Sequence, residues 1–453
     1  METLSIRMER HIQNTLALAV WLEAQPFVEK VNYPGLPGNK YNGLANKYLP
    51  KGAGGVLSFV LKADDSKTVK LVEHLELVSH LANVGDAKTL IIQPATTTHS
   101  QLSAEELKAA GIEPELEIAY NTYGKLNRTG DNVIWICHAL TASSDVEAWW
   151  PGMVGEGLLF DPGKFFIVCA NVLGSCYGTT GPASVNPETG KQWLRDFPLI
   201  TIRDIVNVHE ILRKHLKIKK IISIIGASIG GYQALEYSIM FPDLIQKLII
   251  LASGAKQTPW ALAFSESMRL AMEADQTFTS GDPEGGKKGL KAARSVALIS
   301  YRTIAAYNQT QKEDDDEKLT SFRAASYQAY QGEKLVRRFN PYSYWCLTCL
   351  SDTHNIGRGR GGILNALKLI KAEVLCVGIK SDLLFPTDEQ KIIASNTRNA
   401  QYVEIDSFYG HDGFLVEKDL VTAVVRDFWE KPVNNLKDDR SRKFKDLQVC
   451  KII

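Results

Sequence analysis

The residues best suited to chemistry stand in one short run, Ile221-Ile-Ser-Ile-Ile-Gly226-Ala-Ser228-Ile229-Gly230-Gly231. A β-rich apolar segment leads into Gly-x-Ser-x-Gly, and a helical pattern over 232–241 follows at once. That context predicts a sharp strand-to-helix turn with a nucleophilic serine at its apex. Such a turn crowds the positions two either side of the serine, so both must be small. The new helix also points its positive end at the reaction centre. The plainer alternative is a tight turn whose serine only caps the helix, and the strand and helix on either side favour the nucleophile. A nucleophilic serine needs a base, and the base needs a carboxylate to orient it. Behind a turn of this kind the partners follow in the order serine, carboxylate, histidine, on loops after later strands. The β-rich run 374–379 is followed by Lys380-Ser381-Asp382, and the run 401–405 by Phe408-Tyr409-Gly410-His411. Ser228, Asp382 and His411 are therefore the expected triad. Asp406 shares the loop of His411 and reads as a surface carboxylate, while Asp352 and His354 lack a preceding strand. The developing oxyanion needs backbone N–H donors. Ile229 should supply one, and the loop His138-Ala139-Leu140-Thr141, at Leu140, the other. His138 precedes the serine in the chain and reads as structural.

These groups need a scaffold, and the sequence outlines one. From about Leu116 onward, short β-rich runs occur at 133–138, 165–171, 221–225, 247–252, 374–379 and 401–405. Most are continuous apolar segments, as expected of parallel strands buried on both faces. Helical patterns at 205–215 and 232–241 lie between them, which argues for an α/β protein with a mostly parallel sheet. Between Ser253 and Glu373 the strands stop and helix-like segments take over. That span is too long for a plain loop, so a helical lid insertion is expected at about 256–372. Within it, Lys312-Glu-Asp-Asp-Asp-Glu-Lys318 reads as a solvated connection. The first 114 residues form a small α+β block. A helix is expected at 12–23, a turn at 33–38 and strands at 55–61 and 90–92. Further helices are expected at 69–77 and after Ser103. The domain reading is 1–114, 115–433 and a polar tail at 434–453.

Composition removes several function classes. Across 453 residues, 52 basic side chains face 51 acidic ones, a net charge of +1, so there is no basic excess of the kind that marks nucleic-acid binding. With 45% hydrophobic residues the chain is not a disordered one. No segment approaches the ~18 apolar residues of a membrane span, and the N-terminus lacks the apolar stretch of a signal peptide. A soluble cytoplasmic protein with no membrane partner is expected. Seven cysteines in so long a chain are not a disulfide framework. Cys346 and Cys349 lie in an apolar helical pattern and read as buried thiols, and no ligand spacing supports a metal. Gly357-Arg358-Gly-Arg360-Gly-Gly362 contains Gly-x-Gly-x-x-Gly without a preceding strand, so it is a weak dinucleotide signal and reads as a solvated loop.

Longer strings then become specific. His138-Ala-Leu-Thr, Asn171-Val-Leu-Gly174, Tyr177-Gly-Thr-Thr-Gly-Pro182, Phe197-Pro198, Thr201-Ile-Arg-Asp204, Ser326-Tyr-Gln-Ala-Tyr-Gln-Gly332, Asn340-Pro-Tyr-Ser-Tyr344 and Gly410-His411-Asp412 together resemble the homoserine O-acetyltransferase family of α/β-hydrolases, from about Leu116 to Trp429. The resemblance implies an α/β-hydrolase-type sheet under a helical lid. It also implies a ping-pong transfer of acetyl from acetyl-CoA through Ser228 to the hydroxyl of L-homoserine, in methionine biosynthesis. By the same resemblance Arg269 would hold the amino acid's carboxylate and Asp412 its ammonium group, and the protein would be a homodimer joined through the lid. An ordinary exposed helix arginine is the competing reading of Arg269, and Arg358 or Arg360 could face CoA phosphates. A succinyl-CoA donor, a serine acceptor, an esterase and an inactive docking protein stay open as alternatives. The sequence departs from the family at Ile229, where methionine is usual, and at Ala142, where glycine is usual. The family's residues ahead of Leu116 have no counterpart, so an edge strand is expected to be lost.

The first block resembles something else. Ser5-Ile-Arg-Met-Glu-Arg-His11, Val31-Asn-Tyr-Pro-Gly-Leu36, Ser79-His-Leu-Ala-Asn-Val-Gly-Asp86 and Pro94-Ala-Thr-Thr-Thr-His99 are similar to the C-terminal domain of O-acetylhomoserine sulfhydrylase, a pyridoxal phosphate enzyme. The segments that would carry a Schiff-base lysine and a phosphate loop have no counterpart here, so no bound pyridoxal phosphate is expected. The block reads as a fusion remnant or as a docking element for a sulfhydrylase.

Overall fold

The computed structural model describes residues 4–62, 71, 75, 79–80, 90–91, 116–186 and 189–430. The expected helix after Ser103 and the tail from Asn434 lie outside these residues, as does the helix at 69–77 except for Leu71 and Leu75. The chain divides into two compact units, Met1–Glu115 and Leu116–Ile453.

In the first unit a helix spans Leu4–Glu23, starting earlier than the periodicity indicates. The strand β1 (Val28–Asn32) pairs antiparallel with β2 (Ser58–Leu61), and β3 (Ser79–His80) pairs with β4 (Leu90–Ile91). Among its described residues Ala19, Tyr33 and Leu36 form a buried cluster, with Val31, Ala53 and Leu57 packed against them.

The second unit is built on a seven-stranded sheet. Its strands are β5 (Tyr120–Tyr123), β6 (Val133–Cys137), β7 (Phe166–Ala170), β8 (Ile221–Ala227), β9 (Ile245–Leu251), β10 (Glu373–Ile379) and β11 (Ala400–Ile405). Their order is β11-β10-β9-β8-β6-β7-β5, and every pairing is parallel except the edge pair β5–β7. All six β-rich runs are strands. The seventh, β5, is polar and exposed, so it carries no apolar run by which to recognise it. No strand beyond β5 joins that edge among the described residues.

The sheet is covered on both faces. Val133, Trp135 and Cys137 of β6 enter one apolar cluster with Ile205, Tyr232 and Leu235, from the helices Ile202–His215 and Ile229–Met240. Ile134 and Ile136 enter the other with Val421, Val425 and Phe428 of the helix Lys418–Glu430. Alternate side chains point to opposite faces, which is why these strands must be apolar throughout. Between β9 and β10 the chain is helical. Pro259–Glu273, Lys287–Tyr301, Arg323–Val336 and Pro341–Asp352 are the long members of this lid. The charge run before Arg323 is exposed connection. Cys346 and Cys349 lie within the helix Pro341–Asp352 as free thiols, and burial pushes the Cys346 thiol up to about 12. No helix among the described residues is long and apolar enough to cross a membrane, and no cluster of side chains there could hold a metal ion.

Candidate active site

Central strand β8 ends in the turn that holds Ser228. The serine has φ 56° and ψ −127°, a backbone conformation L-residues rarely adopt, costing on the order of 1–3 kcal/mol. Three bonds hold it there. Its N–H donates to Leu251 O at 3.0 Å, and its own carbonyl accepts from Gly231 N–H at 2.9 Å and Ser253 Oγ at 2.7 Å. The flanking glycines are steric necessities: a Cβ at Gly226 would lie 2.0 Å from Gly230 O, and one at Gly230 would lie 2.2 Å from Cys137 O. The helix Ile229–Met240 starts at the next residue, with Ser228 at its N-cap.

The carboxylate and the histidine arrive from the loops after β10 and β11. Asp382 Oδ1 accepts from Leu384 N–H at 2.8 Å and Phe385 N–H at 2.9 Å, which fixes the plane of the carboxylate. Its Oδ2 lies 2.7 Å from His411 Nδ1, with both side chains buried. The neutral ring therefore carries its proton on Nδ1 and leaves the Nε2 lone pair free to act as base. Ser381 Oγ joins the two loops, donating to Ser407 O at 2.5 Å and accepting from Gly410 N–H at 3.2 Å. No hydrogen bond between Ser228 and His411 occurs among the described contacts, and such bonds commonly tighten only in the substrate complex.

Burial disfavours a charged His411 ring, but the charge and hydrogen bond of Asp382, with Asp412 nearby, outweigh it and raise the pKa above 6.5. Activity that needs the neutral ring should therefore fall as pH drops through an apparent pKa above 6.5, read from a profile of kcat/KM. An acid limb at or below 6.5 would contradict this. The effect on stability runs the other way: a raised histidine pKa stabilises the fold at low pH, and that contribution is lost as pH rises through the folded value.

Ser228 opens into a pocket whose walls include Leu140 and Ile229, the two expected oxyanion donors. Phe264, Ser265 and Met268 of the lid form another wall with Tyr301 and Phe385. The rings of Phe385 and Tyr301 also pack on His411, at 5.2 and 5.6 Å between centroids, so the base stands directly behind that wall. His138 is buried, bonded to Val172 N–H and to the Ala139 carbonyl, and burial lowers its pKa to about 4.

Arg269 and Asp412 have protein partners. Arg269 Nη2 contacts Glu266 at 2.7 Å and Asp352 at 2.6 Å, while its Nη1 is buried without a partner. Its helix neighbours Ser265 and Met268 face the pocket. Asp412 lies 2.8 Å from Arg302 Nε. Arg360 is no free phosphate ligand: it donates to the buried Glu236 at 2.5 and 2.9 Å, and Glu236 also receives Arg203 at 2.8 Å. Asp406 is an exposed partner of Lys380 at 3.3 Å. The buried His354 stacks on Tyr232 at 3.7 Å.

A mostly parallel sheet with a strained serine after its central strand β8, and an Asp–His pair on the loops after β10 and β11, defines an α/β-hydrolase. Residues 132–418 match the family model described as alpha/beta hydrolase fold, and residues 1–117 match that of Cys/Met metabolism PLP-dependent enzymes. The chain is 46% identical over 326 residues to a homoserine O-acetyltransferase of Cyclobacterium marinum, covering 72% of this chain and 93% of the relative. It is similar to the homoserine O-acetyltransferase structure from Bacillus anthracis, with a TM-score of 0.65, 25% identity and coverage of 70% of this chain and 92% of that one. The fold alone is shared with esterase E22, at a TM-score of 0.65, 23% identity and coverage of 69% and 94%. The chain belongs to the homoserine O-acetyltransferase family of α/β-hydrolases, preceded by a fragment of the pyridoxal phosphate enzyme type.

That fragment is of a type that uses pyridoxal phosphate, and none of its described lysines fits a Schiff base to it. A Schiff-base lysine must be desolvated to react, and Lys30, Lys40, Lys47, Lys51 and Lys62 are all exposed.

Proposed function

We propose that this protein transfers acetyl from acetyl-CoA to the hydroxyl of L-homoserine. The observation that carries the reading is the buried Asp382–His411 pair behind a pocket that also holds Ser228 and both oxyanion donors, in a chain 46% identical to a curated transferase. Ser228 Oγ attacks the thioester carbonyl as His411 Nε2 takes its proton, and the N–H groups of Leu140 and Ile229 receive the oxyanion. Collapse breaks the C–S bond, and His411 returns the proton to the CoA thiolate. His411 then deprotonates the homoserine hydroxyl, which attacks the acyl-serine. C–O cleavage at Ser228 releases O-acetylhomoserine, and the serine regains the proton from His411. The lid over the pocket supports transfer over hydrolysis, because water must be kept from the acyl-enzyme.

Arg269 is the proposed carboxylate anchor. Its unpartnered Nη1 beside the pocket-lining Ser265 and Met268 supports this role, and Glu266 and Asp352 would hold the fork in place. Asp412, beside the base, is the proposed ammonium partner. The test follows CoA release from acetyl-CoA with and without L-homoserine. Homoserine-dependent release supports the reading, homoserine-independent release makes the protein a hydrolase, and release only from succinyl-CoA changes the donor.

The protein is further proposed to be a homodimer through its lid, where Leu319 and Ile304 stand 87% and 74% exposed and Phe322 and Tyr330 are also exposed. Light scattering should give twice the chain mass, and a Leu319→Glu, Ile304→Glu double variant should be monomeric. A wild type that is monomeric at micromolar concentration would sink this. The first unit carries no pyridoxal phosphate in this reading, and stands as a fusion remnant or a sulfhydrylase-docking element.

A further inference from the structure

The oxyanion donor at Leu140 belongs to a tight turn that is gripped from two sides. Ala142 N–H donates to Ala139 O at 3.0 Å, closing a turn with Leu140 and Thr141 at its centre. No acceptor for Leu140 N–H occurs among the described bonds, which leaves that group for the pocket. The peptide Ala139–Leu140 is planar and trans, so fixing its carbonyl also fixes the direction of its N–H. The buried His138 does this from within. Its Nε2 accepts from Val172 N–H at 3.0 Å, so in the neutral ring Nδ1 carries the hydrogen and donates to Ala139 O at 2.9 Å.

The second grip comes from the lid. Arg338 follows the helix Arg323–Val336, and its Nη1 donates to Thr141 O and to Tyr177 Oη, each at 2.6 Å. The next two residues hold the same region: Phe339 packs edge-on against Tyr177 at 5.6 Å, and Asn340 N–H reaches Cys176 Sγ at 3.5 Å. Three consecutive lid residues thus anchor on the loops that shape the oxyanion site. Arg338 has no carboxylate partner among the described contacts, so its guanidinium is given to this turn and to Tyr177.

We propose that Arg338 is a positioning residue, carried by the lid, which with His138 aims the Leu140 N–H at the oxyanion. The proposal rests on Leu140 being a donor to an acyl-serine formed at Ser228. It couples lid seating to reactivity: a displaced lid releases the Thr141 carbonyl, the turn rotates, and the donor is lost.

The test uses reagents that need no homoserine. Burst acylation by p-nitrophenyl acetate and the rate of labelling by a fluorophosphonate are compared in wild type, Arg338→Met, Arg338→Lys and Tyr177→Phe, each with its melting temperature. Arg338→Met should acylate at least tenfold more slowly at an unchanged melting temperature. Arg338→Lys should recover part of the rate by reaching Thr141 O with one donor, and Tyr177→Phe should lose less than Arg338→Met. A merely structural arginine would lower the melting temperature and leave acylation of the folded protein unchanged. If Arg338→Met is labelled as fast as wild type, the positioning role of Arg338 alone is wrong. If wild type is not labelled at Ser228, the nucleophile assignment fails and takes that role with it.

Discussion

Ser228→Ala should abolish homoserine-dependent CoA release, lowering kcat by about 10⁴–10⁶-fold, since nucleophile and base act as one unit. The loss should come without unfolding. The elbow is held through the backbone of Ser228, by Leu251 O, Gly231 N–H and Ser253 Oγ, and none of these bonds uses its hydroxyl. Alanine must still occupy φ 56°, a strain the serine already bears. His411→Ala should fall as far, and the double variant little further, because either loss alone removes the activated oxygen. A Ser228→Ala protein that keeps a tenth of wild-type turnover would place the nucleophile elsewhere.

Asp382→Asn should cost about 10⁴-fold in kcat with KM little changed. The amide is isosteric, and its oxygen can still accept from Leu384 and Phe385 N–H, so the loop after β10 should keep its shape. The other end of the amide then presents NH₂ to His411 Nδ1. A ring that accepts there must carry its proton on Nε2, where it cannot act as base toward Ser228. The loss is one of tautomer rather than fold, so the melting temperature should move far less than the rate. Hydrogen-detected NMR of the imidazole protons reads the difference directly: the wild-type proton sits on Nδ1, and the variant's should sit on Nε2. A variant within tenfold of wild type would mean that Asp382 does not orient the base.

Much of this site was legible along the chain because its signals are local. Gly226 is crowded by Gly230 within four residues of chain, although Gly230 itself is crowded by the distant Cys137 carbonyl, and the apolar runs of the inner strands record burial on both faces of a sheet. Asp382 and His411 could be singled out because each follows such a run directly, and the long helical stretch marked the lid without indicating its packing. The edge strand β5 escaped because an exposed, polar, antiparallel strand has neither an apolar run nor a clear alternation.

The family strings located Arg269 and Asp412, but not the partners that now hold them: Asp352 and Arg302 come from distant turns of the lid. The loop around Arg360 resembles a phosphate cradle in sequence, and only the tertiary structure turns that arginine onto the buried Glu236. Arg338 gave no signal at all, since Thr141 lies 197 residues away, and a contact of that separation leaves no spacing to read. What the sequence by itself determined was which residues are proposed as the reacting groups and their order, because that choice depends on turns and periodicities a few residues long. Tertiary structure alone decided which charges are neutralised, which N–H groups stay free and what holds them, because those depend on side chains brought together only after the sheet and lid have packed.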